Sequence, residues 1–214
     1  MKDKKEITTL FLDVGGVLLT NGWGHEYRSL AAQKFNLNMT EMEERHSLMF
    51  AVYEEGNITL QEYLNRVVFY QERDFTLAAF RDFMFSLTKP CLRMIALMQS
   101  IKEQYGLKVV AVNNEARELN EYRINTFKLN GLIDFFISSC YVHIRKPSAN
   151  IFKLALDVAK VSASEVLYID DVKLFVDIAK DLGINGIVHT DHQTTSKALA
   201  PFSFRKPQKN MEHA

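Results

Sequence analysis

Residues 8–17 read TTLFLDVGGV, a short apolar run that stops at Asp13 and is followed at once by Val14 and two glycines. The apolar run predicts a strand buried on both faces, because a parallel strand covered by helices is apolar almost throughout. The glycines allow a sharp turn and a close approach to a ligand. Open α/β sheets bind ligands at the carboxyl ends of their strands. Asp13 is therefore a candidate nucleophile, the alternative being an ordinary acidic residue in a strand-to-helix turn.

From Pro90 onward, predicted helices alternate with short apolar runs, a pattern typical of a parallel sheet. The predicted strands are 108–112, 133–138, 166–169 and 186–189. The predicted helices are 92–105, 115–129, 149–160 and 172–182. Glycines close three of these helices, at Gly106, Gly131 and Gly183, which suits the left-handed position that helix C-termini favour. The sequence therefore predicts an α/β fold built on a parallel sheet.

The stretch from Tyr27 to about Leu87 is helical in pattern and contains no proline. Two capping boxes are predicted within it, at Thr40–Glu43 and at Thr59–Glu62. Apolar residues at helical spacing follow each box: Leu48, Ala51 and Val52 after the first, and Tyr63, Leu64, Val67 and Val68 after the second. About four helices of this kind need a shared core, so residues 20–87 are predicted to form an inserted helical bundle.

Composition narrows the possible partners and compartments. The 26 basic and 26 acidic residues cancel, which leaves no net field to gather nucleic acid or an anionic membrane. No apolar run approaches the roughly 18 residues of a membrane helix, and the N-terminus resembles no signal peptide. Cys91 and Cys140 are isolated, which suits two structural thiols in a reducing cytoplasm. The polar tail, residues 202–214, is predicted to fray.

Four stretches together resemble the motifs of the haloacid dehalogenase-like (HAD) superfamily, in the order and spacing of that family. They are TTLFLDVGGV at 8–17, VVAVNN at 109–114, Lys146–Pro147, and LYIDD at 167–171. The resemblance runs from Thr8 to about Val188. It implies a Rossmann-like α/β core made of residues 1–19 and 88–214. It also implies that the bundle at 20–87 is the helical cap of one HAD subclass.

The resemblance assigns two catalytic roles, that of nucleophile to Asp13 and that of a cation on the phosphoryl oxygens to Lys146. It implies Mg²⁺ held by Asp13, the backbone carbonyl of Gly15 and Asp171, with Asp170 as a supporting group. The substrate-binding positions that it implies are Asn113, Asn114, Gly16, Trp23 and His25. Other readings of single residues stay open: Lys146 as a solvated lysine, Trp23 as cap core, and Asp170 as the cap of the next helix.

Two residues depart from the family pattern. Gly15 occupies the place of a second Asp that protonates the leaving group in most phosphatases of the superfamily, and general acid–base help is typically worth about 10²–10⁴-fold in rate. His25 is a possible substitute. Asn113 stands where the family usually has Ser or Thr, although its amide can still donate to a phosphoryl oxygen.

Three functions are consistent with these residues. The first is a Mg²⁺-dependent phosphatase that acts on a small phosphorylated metabolite through an aspartyl-phosphate on Asp13. The second is a 2-haloacid dehalogenase, which needs no metal, but the Asp170–Asp171 pair would repel an anionic haloacid. The third is a non-catalytic binding or regulatory protein, which Gly15 and Asn113 support. Nothing in the sequence indicates an oligomeric state.

Overall fold

The computed structural model describes residues 6–206, and its centre is a five-stranded sheet in which every pairing is parallel. The strands are β1 (Thr9–Leu12), β2 (Lys108–Asn113), β3 (Phe135–Ser138), β4 (Val166–Asp170) and β5 (Asn185–Val188). Their order across the sheet is β3-β2-β1-β4-β5. The predicted α/β class and parallel sheet are confirmed.

Strand β1 is the central strand, and its residues are fully buried because helices cover both faces of the sheet. Leu12 pairs with Ala111 of β2 on one side and with Ile169 of β4 on the other. Asp13 therefore leaves the sheet at the same edge as Asp170, the last residue of β4. The register brings together two carboxylates that are far apart in the sequence.

Four helices follow β1 and form a cap over this edge. They are α1 (His25–Lys34), α2 (Met39–Glu54), α3 (Leu60–Val67) and α4 (Leu77–Ser86). Their shared core is aromatic: the buried Phe80 ring lies 5.0 Å from the ring centre of Phe35 and 5.9 Å from that of Trp23. All four helices fall within the range 20–87 that the sequence predicts for the cap.

One of the two predicted capping boxes is correct. At the start of α3, the Thr59 hydroxyl accepts from the Glu62 amide, and the Glu62 carboxylate accepts from the Thr59 amide. The box predicted at Thr40 is wrong, because α2 already begins at Met39. The side chain of Asn38 caps this helix by accepting from the Glu41 amide at 3.2 Å.

The predicted apolar face of α2 is also wrong. Leu48 is 78% exposed, and Ala51 and Val52 are exposed as well. The buried face instead carries Met42, His46, Tyr53 and Glu54. Since His46 and Glu54 are polar and Tyr53 carries a hydroxyl group, the apolar periodicity of the sequence points to the opposite side of the helix.

The remaining helices of the described chain surround the sheet. They are α5 (Leu92–Tyr105), α6 (Arg117–Thr126), α7 (Ser139–Val142), α8 (Ala149–Ala159), α9 (Lys173–Asp181) and α10 (His192–Leu199). Helices α5 and α10 pack on one face, and α8 and α9 on the other. The short α7 and the terminal α10 are not predicted by the sequence.

Two of the three predicted glycine endings are confirmed by positive φ angles, 61° at Gly106 and 83° at Gly183. The third is wrong, since α6 stops at Thr126 and Lys128 takes the left-handed conformation with φ 52°. The turn at Lys128 brings Leu129 into the core, where it is 2% exposed.

The start of the C-terminal tail packs on the core. The Phe204 ring stacks on Tyr105 at 5.1 Å, and the Arg205 amide donates to the Ile7 carbonyl at 2.9 Å. The prediction of fraying is therefore wrong for residues 202–206, and residues 207–214 lie outside the described range. Residues 1–5, the start of the N-terminus for which no signal peptide is predicted, also lie outside it. Within that range, no helix combines the length and apolarity needed to cross a bilayer.

Candidate active site

Asp13 lies on the floor of a cavity of about 710 Å³ between the sheet edge and the cap. Its backbone amide donates to the Ile169 carbonyl at 2.9 Å, which holds it beside β4. The residue is 8% exposed. Burial raises the pKa of its carboxyl group to about 7, against the opposing charge of Lys146. A carboxylate at this position is therefore costly without positive charge nearby.

Lys146 supplies part of that charge and is not a surface lysine, since it is 1% exposed. Its Nζ lies 3.1 Å from Asp13 Oδ1 and 2.7 Å from Asp170 Oδ2. Burial lowers the pKa of Lys146, but the two carboxylates outweigh this effect and the pKa is raised. Asn114 clamps the lysine backbone: its Oδ1 accepts from Lys146 N at 2.8 Å, and its Nδ2 donates to Lys146 O at 2.9 Å.

Asp170 is completely buried, and both of its oxygens are occupied. Oδ2 accepts from Lys146 and from the Tyr168 hydroxyl, and Oδ1 accepts from the Val172 amide at 2.7 Å. The alternative that Asp170 is the N-cap of the next helix is wrong, because Val172 holds that position in α9. Asp170 orients the lysine from behind the cavity wall.

Asp171 lines the cavity and has one oxygen against Gly16. A Cβ atom at Gly16 would collide with Asp171 Oδ2, and the φ of Gly16 is 77°, so a glycine is needed here on two counts. Burial raises the pKa of Asp171, and the charge of Asp170 adds to the effect. Gly16 itself does not line the cavity, whereas Gly15 does.

The three carboxylates of Asp13, Asp170 and Asp171 each have an oxygen within 4.8 Å of the others, so this cluster could hold a metal ion. Lys146 is the one cation in ion-pair contact with them among residues 6–206. Hard oxygen ligands with surplus negative charge are the chemistry that suits Mg²⁺. The donor set therefore fits the metal that the sequence predicts.

Asn113 is not brought to the cavity. Its Nδ2 donates to Asn120 at 3.2 Å, and its Oδ1 accepts from the Ser138 hydroxyl at 2.8 Å. Side chains alternate along a strand, and Ala111 and Asn113 share the face of β2 that packs on α5. Asn114, by contrast, lines the cavity, and its amide is used on Lys146.

The cap side of the cavity contains a hydrogen-bonded relay of three side chains. Trp23 Nε1 donates to the Tyr63 hydroxyl at 2.9 Å, and that hydroxyl lies 2.7 Å from His46 Nδ1. The donor in the bond between Tyr63 and His46 depends on the tautomer of the His46 ring. Burial and the charge of Arg28 lower the pKa of His46 to about 4. His46 is therefore neutral near pH 7.

Trp23 and His25, both predicted to contact substrate, differ in their surroundings. Trp23 lines the cavity and is also packed in the cap core, 6% exposed. The His25 side chain is 72% exposed, with Nδ1 3.5 Å from Glu43. Glu43 in turn accepts two hydrogen bonds from Arg28, a buried residue of the same wall.

Two ion pairs at the cavity are not predicted by the sequence. Glu54 of α2 lies 2.7 Å from Arg145. Glu115 contacts Arg123, and both residues of this second pair are buried. Arg123 also donates to the Thr20 carbonyl and the Thr88 hydroxyl, where the chain enters and leaves the cap. A signal for this pair exists: Arg123 follows buried Leu119 by four residues and therefore shares its face of α6.

A family model described as haloacid dehalogenase-like hydrolase matches residues 7–183. The chain belongs to this family. The HAD match includes Asp13, Lys146, Asp170 and Asp171, the residues that meet at the sheet edge. Membership and the parallel fold thus agree with the predicted resemblance.

Relatives of known name share the fold or parts of the sequence. The chain is 39% identical over 66 residues to the bifunctional epoxide hydrolase 2 of Sus scrofa, a match that covers 31% of this chain and 12% of that protein. A HAD family enzyme of Bacteroides thetaiotaomicron, solved as a magnesium complex, has a TM-score of 0.74 and 20% identity over 98% of each chain. The L-2-haloacid dehalogenase of Xanthobacter autotrophicus has a TM-score of 0.60 and 15% identity over 91% of this chain and 83% of that one.

Proposed function

We propose that this HAD family member is a Mg²⁺-dependent phosphatase that forms an aspartyl-phosphate on Asp13. The observation that carries the proposal is a cluster of three carboxylates of which Lys146 pairs with only two, Asp13 and Asp170, which leaves the floor with surplus negative charge. This negatively charged floor would repel an anionic haloacid, the substrate of a dehalogenase. A divalent cation bound together with a phosphoester would instead offset the surplus negative charge of the carboxylates.

The residues of the chain divide the chemistry among them. The Asp13 carboxylate attacks phosphorus, and Lys146 stabilises the charge on the phosphoryl oxygens. The backbone amides of Val14 and Gly15 have no hydrogen-bond partner within residues 6–206 and are available as further donors. Mg²⁺, held by Asp13, Asp171 and the Gly15 carbonyl, would neutralise the carboxylates and polarise the phosphoryl group.

The cavity suggests a small substrate with an uncharged polar body. Its volume of about 710 Å³ is that of an ordinary small-molecule site. Arg28 is paired with Glu43, and Arg145 lies against Glu54, while the neutral His46 and the ring of Trp23 line the same cavity and can contact the substrate. Both cysteines are free, which supports the cytoplasm as the place of reaction.

The test is hydrolysis of 4-nitrophenyl phosphate with Mg²⁺, with chelator, and by the Asp13→Asn variant. We expect turnover that requires both the metal and Asp13. Asp177→Asn, an exposed carboxylate of α9 that is paired with Lys173, is the matched control and should retain full activity. Turnover that persists with chelator or in Asp13→Asn would overturn the mechanism.

A second candidate is a binding protein without turnover, which Gly15 favours because the usual acid side chain is absent. In that case no phosphate is released, but inorganic phosphate with Mg²⁺ raises the melting temperature of the wild type. Release of halide from 2-chloropropionate without metal would instead identify a dehalogenase.

A further inference from the structure

Gly15 leaves the proposed reaction without a proton donor from the floor. When the bond between phosphorus and the leaving oxygen breaks, that oxygen keeps the electron pair and needs a proton unless it belongs to a very acidic alcohol. In-line displacement places the leaving oxygen on the side of phosphorus opposite to Asp13. Since Asp13 is on the floor, the leaving oxygen faces the cap.

Glu54 is a carboxyl group on that side of the cavity. It belongs to α2 of the cap, lines the same cavity as Asp13, and is 8% exposed. Its Oε2 lies 2.7 Å from Arg145 but without hydrogen-bond geometry, and this buried atom has no hydrogen-bond partner within residues 6–206. Arg145 directly precedes Lys146, so consecutive residues reach Glu54 and the nucleophile.

The surroundings of Glu54 suit a group that gains and loses a proton. Burial raises its pKa to about 7, Arg145 and Lys146 oppose the rise, and Glu115 adds to it. Such a carboxyl group is partly protonated near neutral pH, which is the condition for general acid catalysis.

Three other buried titratable groups that line the cavity are less suited. His46 is already neutral and its pKa is lowered to about 4, so it carries no readily released proton. Burial raises the pKa of Tyr53 well above its usual range. Glu115 is in direct contact with Arg123, which holds it as an ion pair where the chain enters and leaves the cap.

We propose that Glu54 is the proton donor to the leaving group, an inference that rests on the proposed phosphatase function. Its carboxyl proton passes to the leaving oxygen as the P–O bond breaks, and the resulting carboxylate is paired with Arg145. In the second step the carboxylate takes a proton from the water that attacks the aspartyl-phosphate. Inorganic phosphate leaves, and Asp13 and Glu54 return to their starting states.

The experiment compares wild type and Glu54→Gln on two substrates of similar size, phenyl phosphate and 4-nitrophenyl phosphate. The value of kcat/KM reports the first step, in which the leaving group departs. We expect Glu54→Gln to lower kcat/KM by about 10²-fold or more for phenyl phosphate, whose leaving phenol is the more basic, and by less than about tenfold for 4-nitrophenyl phosphate.

The pH profile gives a second readout. For phenyl phosphate, the wild-type kcat/KM should fall as the pH rises past about 7, since the acid must be protonated, and Glu54→Gln should lose this limb. Glu55→Gln, the neighbouring carboxyl that does not line the cavity, is the matched control and should behave as wild type.

Equal losses on both substrates would assign Glu54 a structural role in joining cap and core and overturn the proposal, as would an unchanged profile. Failure of the phosphatase function itself is distinguishable, because wild type would then show no turnover of 4-nitrophenyl phosphate that depends on Mg²⁺ and Asp13.

Discussion

The floor and the cap wall of the cavity balance their charges in different ways. On the floor, three carboxylates are clustered, and the ammonium group of Lys146 pairs with two of them, Asp13 and Asp170. On the wall, the buried cation Arg28 is paired with Glu43, the buried Glu54 with Arg145, and His46 is neutral. The surplus negative charge of the floor therefore favours binding of a cation together with the reacting anion. The wall has no comparable excess of negative charge, and it contributes shape, hydrogen bonds and the proton that we propose Glu54 to carry.

The largest effect should come from removing the one cation of the floor. Lys146→Met leaves Asp13 and Asp170 buried without their partner, and losing one member of a buried ion pair costs about 3–5 kcal/mol. Urea denaturation without metal measures this loss, and turnover of 4-nitrophenyl phosphate should fall to that of Asp13→Asn. Lys173→Met, a 75% exposed lysine, is the control and should change stability by less than about 0.5 kcal/mol. If both variants were equally stable, the floor would not be charge-dependent.

The second effect tests the neutrality of the wall. The folded protein holds the pKa of His46 near 4, below its ordinary value of 6.5, so the unfolded chain binds more protons between these two values. The unfolding free energy of wild type should therefore decrease as the pH falls from 6.5 to 4, by about 3 kcal/mol more than that of His46→Gln. Denaturation of both proteins at several pH values gives the difference, since all other groups cancel. Parallel curves would mean that the pKa of His46 is the same in the folded and unfolded protein.

The smallest effect concerns the helices that carry the wall. Thr59→Ala removes the cap of α3 and should cost about 1 kcal/mol of stability, as loss of an N-cap commonly does. Thr40→Ala, although it matches the same motif, lies in the first turn of α2 and should change stability by less than about 0.5 kcal/mol. Thermal unfolding of the two variants measures both losses of stability. Equal losses would mean that the sequence motif determines the loss, and a larger loss for Thr59→Ala would mean that the observed start of the helix determines it.

The difference between floor and wall also explains which residues of the cavity could be predicted from the sequence. The carboxylates of the floor can be recognised from short stretches of sequence, because each follows an apolar run. The parallel sheet then aligns the ends of these strands. This is why Asp13 and Asp171 could be predicted together, whereas Lys146 follows no such run and is predicted only from the resemblance to the HAD motifs. Asn113 is held away from the cavity by Asn120 of α6 and Ser138 of β3, and the sequence alone does not place these partners beside it.

The wall could not be predicted in this way, because its contacts join residues that are distant in sequence. The relay from Trp23 through Tyr63 to His46 links a loop and two helices. The buried face of α2 is largely polar, so a search for apolar periodicity selected Leu48 on the solvent side. A polar residue is stable on a buried face only with its partner in place, and only the tertiary fold supplies that partner.

The segment that contains Arg145 and Lys146 separates contact with the cap from the position of the lysine. The Asn114 side chain forms two hydrogen bonds with the Lys146 backbone, one to its amide and one to its carbonyl. The side chain of Arg145 extends to Glu54 of the cap. The peptide that carries Lys146 is thus fixed by Asn114, while the contact with α2 is made by the side chain of the preceding residue. Contact with the cap and alignment of the lysine with the nucleophile therefore depend on different atoms of the same short segment.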